Sequence, residues 1–114
     1  MRKQADPDVR LLQAIADPTR LSIIRQLSSS GAVCACELSG PQGVSQPTVS
    51  HHLRVLREAG WIEGERRGTW IWYTIRPQAA ARLAELAAQV RPGPARPATA
   101  VRRLREPLRV IQPA

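Results

Sequence analysis

Nowhere in the 114 residues is there an apolar run approaching the roughly 18 residues of a membrane-spanning helix. The opening Met1-Arg2-Lys3-Gln4-Ala5-Asp6-Pro7 leads into no apolar core of the secretory-signal kind, so a cytoplasmic location without membrane contact is expected. Cysteine is nearly absent: Cys34 and Cys36 are the only two. That excludes a disulfide framework. A bridge between residues this close would form a small strained ring in a compartment that keeps thiols reduced, so free thiols or metal ligands are expected instead. Histidine is limited to His51 and His52. No nucleophile with its base, no metal with an open position and no phosphate-cradling loop can be assembled, so the chain is not expected to be an enzyme. No internal repeat is visible.

What the chain does have is positive charge. Lys plus Arg number 17 against 9 Asp plus Glu, a formal +8, which points to a polyanionic partner such as nucleic acid or an acidic membrane surface. The charge is uneven. Residues 91–114 carry six arginines (91, 96, 102, 103, 105, 109) and Glu106, a net +5, which leaves +3 on residues 1–90. Five prolines (92, 94, 97, 107, 113) punctuate the same stretch. Two units follow: a single folded domain over 1–90, and a basic, Pro-rich tail over 91–114 that is expected to be flexible, with Ala100 to Glu106 able to form a short helix.

Within the domain, Asp8 to Ala16 places Leu11, Leu12 and Ile15 at helical spacing. Asp17 then caps a second helix with Pro18 at its first position and an apolar face of Leu21, Ile24 and Leu27, stopped by Ser28-Ser29-Ser30-Gly31. Cys36 to Leu38 reads as a short helix closed by the turn Gly40-Pro41-Gln42-Gly43. Ser45 opens a capped helix in which Val49, Leu53 and Leu56 fall at i, i+4, i+7 before Ala59-Gly60 ends it. These last two helices, joined by a tight turn, form a helix-turn-helix unit. The period then switches to two: Trp61 to Arg66 and Thr69 to Ile75 flank Arg67-Gly68 as a hairpin, with Ile71, Tyr73 and Ile75 on one face and Trp70, Trp72 and Thr74 on the other. Pro77-Gln78-Ala79 opens a final helix striped by Leu83, Leu86, Ala87 and Val90. The expected fold is mainly α with a small β-hairpin wing, in the order α-α-α-α-β-β-α.

Four ordered runs resemble the ArsR/SmtB type of winged helix-turn-helix metalloregulatory repressor: Asp17-Pro18-Thr19-Arg20-Leu21, Ser45-Gln46-Pro47-Thr48-Val49-Ser50-His51-His52-Leu53, Val55-Leu56-Arg57-Glu58-Ala59-Gly60, and Arg66-Arg67-Gly68 through Tyr73. The resemblance covers about residues 8–90. It implies a repressor that binds double-stranded operator DNA as a homodimer.

With residues 49, 53 and 56 set at the core, the opposite face of the Ser45 helix carries Pro47, Ser50, His51 and Arg54, with Thr48 at its edge. Gln46, Thr48, Ser50 and His51 then offer donors and acceptors to base edges in a major groove. Arg54 and Arg57 act as phosphate clamps, and Arg66 and Arg67 reach the backbone or minor groove from the hairpin tip. His52 lies nearer the core and is expected to be structural. Trp70 and Trp72 are expected to cover the sheet's second face rather than stack on single strands. One such domain reads too few base pairs alone, so a symmetric dimer on a palindromic site is expected, with Leu11, Leu12, Ile15, Leu83, Leu86 and Val90 at the interface.

Val33-Cys34-Ala35-Cys36-Glu37-Leu38 resembles the Cys-x-Cys-Asp-Leu segment by which arsenic-responsive members of the family bind trivalent arsenic or antimony, although Ser39 stands where those motifs often carry a third cysteine. On a continuous helix, residues 34 and 36 would point about 200° apart, so joint ligation requires Cys34 to be extended ahead of the helix. Three readings stay open for the pair: inducer ligands for As(III), Sb(III) or another soft metal, a redox sensor, or two small buried hydrophobes. A closed zinc site fits worse because it wants four ligands. The last helix offers Glu85 but no Asp or His, so the family's other metal site is not expected there. A rival of another class is a non-specific architectural nucleic-acid binder driven by the basic tail, and the one enzymatic version, arsenate reduction at Cys34, lacks a phosphate cradle.

Overall fold

The computed structural model describes residues 6–38 and 43–94. Ser39, most of the Gly40-to-Gly43 turn, the possible helix over Ala100 to Glu106 and most of the basic tail lie outside them.

Aspartate and proline start the first two helices. Asp6 caps α1 (Pro7–Ile15) by accepting from the Asp8 N–H at 2.8 Å, and Asp17 caps α2 (Pro18–Ser30) by accepting from the Arg20 N–H at 3.0 Å. In both, proline takes a first-turn position where its missing N–H costs nothing. α2 buries Ile23, Ile24 and Leu27, while Leu21 is only half-buried. The buried arc is wider than the expected stripe because α1, the later helix, and strands on the far side all pack on α2.

After Gly31 the chain forms a strand that the sequence pattern did not announce, β1 (Ala32–Cys34), followed by a 3₁₀ turn over Ala35–Glu37 in place of the expected helix. Then come α3 (Gln46–Glu58), β2 (Ile62–Arg67), β3 (Trp70–Ile75) and α4 (Pro77–Gln89). The sheet is antiparallel in the order β1-β3-β2, so the wing strand β3 is central and carries the cysteine segment on its other edge. None of the helices among the described residues is long and apolar enough to cross a membrane.

The hairpin is shifted by one residue from its expected turn. Arg67 pairs with Trp70, which leaves Gly68-Thr69 as a two-residue loop whose first position has φ 67°. Glycine meets that conformation without a Cβ penalty. Gly64 serves a second purpose: a Cβ there would lie 2.9 Å from Ile71 and 3.0 Å from the Tyr73 ring, so the strand is thin where the core's one tyrosine crosses it.

The core joins Ile23, Leu27, Val33, Leu38, Val49, Leu53, Leu56, Trp61, Ile62 and Tyr73. Trp61 is buried, and its indole N–H donates to the Leu11 carbonyl at 2.8 Å, which locks the end of α3 onto α1. Leu11, expected at a dimer interface, is only 6% exposed and belongs to this monomer core, because α1 packs on α2 and α3 along that side. Its neighbours Val9 and Leu12 face outward instead. α4 is fixed to α1 by Arg82, whose guanidinium donates to both Asp8 oxygens at 2.8 and 2.7 Å and to Glu85 at 3.0 Å. Arg82 thereby holds the Asp8 carboxyl below its ordinary range, and the two carboxylates push Arg82 upward.

Candidate nucleic-acid interface and cysteine pair

α3 is an amphipathic helix with a capped start. Ser45 Oγ accepts from the Thr48 N–H at 3.4 Å and lies 3.0 Å from Thr48 Oγ1, so the cap also orients the threonine. Val49, Leu53 and Leu56 are buried. Gln46, Thr48, Ser50, His51, Arg54 and Arg57 are all exposed, which gathers every expected reading and clamping residue of this helix on its solvent side.

His52 is placed differently from His51. It is half-buried, and the Arg20 guanidinium donates to its Nδ1 at 3.2 Å while Arg20 Nε donates to the Ala14 carbonyl at 2.6 Å. Arg20 therefore ties α1, α2 and α3 together through a neutral imidazole. Burial pushes His52 below its ordinary 6.5; Asp17, 4.0 Å away, opposes this, and Arg20 and His51 add to it. Asp17 is itself lowered, first by the Arg20 N–H it accepts. A histidine lowered on folding binds fewer protons folded than unfolded, so its contribution is complete above about pH 6.5. It is lost as pH falls through the folded value, and levels off once both states are protonated. Urea midpoints measured from pH 7.5 to pH 5 are expected to fall in the wild type and to flatten in His52→Gln; an equal slope in both would place the sensitivity elsewhere.

On the wing, Arg66 and Arg67 are exposed but not equivalent. Arg67 donates to Glu65 Oε1 at 3.2 and 3.0 Å and lies over the Trp72 ring at 5.3 Å, whereas Arg66 sits on the opposite face, paired with Ile71. Trp70 does not cover the sheet as expected. It is 55% exposed: it opens β3 beside the tight turn, where its register partner is the exposed Arg67 and where β1, which pairs only with Trp72 to Thr74, does not reach. Between α3 and the wing runs an open groove of about 470 Å³, lined from α3 by Ser50, His51, Arg54 and Arg57, from the wing by Trp70, Ile71 and Tyr73, and by Ala35. Sequence reasoning missed both Trp70 and Ala35 as parts of this surface. An aromatic immediately after a hairpin turn was the available signal for the first.

Cys34 ends β1 in an extended conformation (φ −69°, ψ 140°), which is the geometry that joint ligation requires, and Cys36 lies in the 3₁₀ turn. Their Cα atoms are 5.2 Å apart and the sulfurs are bonded to each other as a disulfide. The expectation of two free thiols is corrected here: an extended residue followed by a tight turn folds the second sulfur back onto the first, within the ordinary Cα range for a bridge. The Cys36 N–H also points at Cys34 Sγ at 3.3 Å, and Glu37 Oε1 accepts from the Cys34 N–H at 3.3 Å. Cys34 is buried and Cys36 exposed. Among the described residues no third Cys, His, Asp or Glu joins them in a cluster. Cys34 pairs with Trp72, so the pair is stitched to the wing strand by main-chain bonds.

Residues 17–63 match the family described as bacterial regulatory protein, arsR family. The chain is 37% identical over 78 residues to the arsenical resistance operon repressor of Escherichia coli, an alignment covering 68% of this chain and 67% of that one. The chain belongs to the arsR family. It is 32% identical over 88 residues to a cadmium resistance transcriptional regulatory protein CadC homolog of Staphylococcus aureus, covering 76% of this chain and 73% of the relative. Its fold matches the homodimeric winged helix-turn-helix DNA-binding domain of a possible ArsR-family regulator from Mycobacterium bovis, with a TM-score of 0.62 and 28% identity over 79% of this chain and 89% of that one. This arsR-family chain is therefore a winged helix-turn-helix, DNA-binding transcriptional repressor rather than an enzyme.

Proposed function

We propose that the protein is a homodimeric repressor of a palindromic operator, released when trivalent arsenic or antimony binds reduced Cys34 and Cys36. Gln46, Thr48, Ser50 and His51 read base edges, while Arg54, Arg57, Arg66 and Arg67 hold phosphates. Val9, Leu12, Leu86 and Val90, with Ile15 and Leu83 packed behind, form the dimer surface on α1 and α4: Val9, Leu12 and Val90 are 45%, 42% and 82% exposed. The homodimeric Mycobacterium bovis relative supports this assembly.

The observation that carries the inducer reading is the convergence of two sulfurs on a turn hydrogen-bonded to the wing. Reduction of the bond by two equivalents of an external thiol, which leave as their own disulfide, yields two thiols. Arsenous acid then condenses with both, each thiol losing its proton to a departing hydroxide, so that two As–S bonds form and two waters leave. An S–As–S bridge is wider than an S–S bridge. Its insertion moves the end of β1 and the turn, and through the Cys34–Trp72 pairing it displaces the wing from the DNA. A second reading follows from the bond itself: oxidation of the dithiol by peroxide, with two waters formed, is a competing signal.

Titration of the reduced, full-length chain on a duplex selected from a random-sequence pool tests these readings, in the presence of arsenite, antimonite, cadmium, zinc, copper(I) or peroxide. Release by arsenite and antimonite at the lowest concentrations is the expected result. Release by cadmium alone makes it a divalent-metal sensor, which the Staphylococcus aureus relative makes the first competitor, and release by peroxide alone makes it a redox switch.

A further inference from the structure

The two sulfurs of the cysteine pair are not equivalent. Cys34 is only 2% exposed, whereas Cys36 is exposed in the 3₁₀ turn. A thiolate that opens a disulfide approaches one sulfur from the side opposite the sulfur that leaves. Attack on Cys34 Sγ would have to come from within the protein; attack on Cys36 Sγ comes from solvent. The departing sulfur is then Cys34, and the Cys36 N–H, which points at it from 3.3 Å, meets the charge that develops there. The attacked position also stands beside the DNA surface. Ala35, its neighbour in the chain, lines the groove with Arg54 and Arg57, and no acidic residue lines it among the described residues. Consecutive Cα atoms are about 3.8 Å apart, well inside the Debye length of roughly 8 Å at physiological salt.

We propose that Cys36 is an S-thiolation site for a small anionic thiol, with Cys34 as its buried resolving thiol, and that the adduct releases the chain from DNA. The incoming thiol gives its proton to water and attacks Cys36 Sγ. The Cys34–Cys36 bond breaks, a disulfide forms between Cys36 and the thiol, and Cys34 takes up a proton. A second thiolate attacking the outer sulfur removes the adduct as the free disulfide, while Cys34 attacking Cys36 Sγ expels the thiol and restores the original bond. The adduct is thus confined to Cys36 in both directions. Its negative charge, placed beside a groove that has to receive phosphates, repels them. The release half of the proposal rests on the reading of α3 and the wing as the operator surface; the choice of Cys36 does not.

Oxidised full-length protein treated with excess reduced glutathione, quenched with iodoacetamide and mapped by peptide mass spectrometry, tests the site. Glutathione on Cys36 and the alkyl tag on Cys34 are the expected result. Cys34→Ser treated with oxidised glutathione is expected to keep one adduct, because no thiol remains to resolve it. In Cys36→Ser, Cys34 is expected to stay unmodified until urea is added. An adduct on Cys34, or none in either the wild type or Cys34→Ser, would overturn the site. Anisotropy titrations on the selected duplex then compare Cys34→Ser in three states: reduced, carrying glutathione, and carrying cysteamine introduced from cystamine. The glutathione adduct is expected to weaken binding by about tenfold at low salt and less at high salt, whereas the cationic cysteamine adduct is expected to stay within about twofold of the reduced protein. Equal losses for the two adducts would overturn charge as the cause of release, and no loss for either would overturn release altogether. A reduced chain that binds no duplex removes the operator reading and the release together, while the mapping decides Cys36 by itself. A chain that takes the adduct but ignores arsenite loses the metalloid reading alone.

Discussion

The double substitution His51→Ala/Arg54→Ala is expected to lower affinity for the selected operator by on the order of 100-fold or more and to leave residual binding that no longer distinguishes it from a scrambled duplex. A well-placed base contact discriminates by roughly 1–3 kcal/mol, and about 1.4 kcal/mol is tenfold. Loss of an Arg54 phosphate contact adds a sequence-blind decrement, and a two-fold symmetric dimer suffers both losses at each half-site. Folding is expected to survive. Both side chains lie on the exposed face of α3, away from Val49, Leu53 and Leu56, and alanine is the most favourable helix residue. Circular dichroism and the urea midpoint should therefore match the wild type while specific binding disappears. An unchanged operator affinity would remove α3 as the reading helix. Retained sequence-blind affinity in both proteins would instead make the chain an architectural binder.

The features legible in the sequence are those whose chemistry is local. Asp17-Pro18 and Ser45 announce helix starts because a cap is satisfied within three residues, and both caps are present. The division of α3 into a buried Val49/Leu53/Leu56 stripe and an exposed polar face follows from 3.6 residues per turn and needs no tertiary information. β1 was not legible for the opposite reason. Ala32, Val33 and Cys34 are too few to show a period of two, and the strand exists only because β3, some forty residues later, offers an open edge. Leu11 and Leu12 illustrate a related limit: an apolar stripe says that a face is buried, and not whether its partner is the same chain or another copy. Leu11 went to the core, held beneath the Trp61 indole, while Leu12 stayed outside. Closure of the cysteine pair was hidden because it depends on backbone torsions at Cys34 and not on spacing alone. The correction matters for function, since a bonded pair presents no thiolate and has to be reduced before it can sense a metalloid.

That requirement sharpens the outcome for Cys34→Ser/Cys36→Ser. The double variant is expected to repress as the wild type does and to remain on its operator at arsenite concentrations that weaken reduced wild-type binding roughly 5–150-fold, the effect of a coupling of about 1–3 kcal/mol. Its fold should hold. Serine at 34 is nearly isosteric, and its oxygen can accept from the residue 36 N–H that now points at Cys34 Sγ, so the small turn keeps its cap. At exposed Cys36 the exchange is tolerated more readily still. Wild-type protein oxidised with peroxide is expected to ignore arsenite as the serine variant does, because both sulfurs are already spent in the disulfide. Dithiothreitol, followed by its removal, should restore the response to the wild type alone. This three-way comparison separates metalloid ligation from a passive thiol pair: a serine variant that still leaves DNA with arsenite would put the sensor elsewhere. An oxidised wild type that leaves DNA without any metalloid would make the Cys34–Cys36 bond the signal.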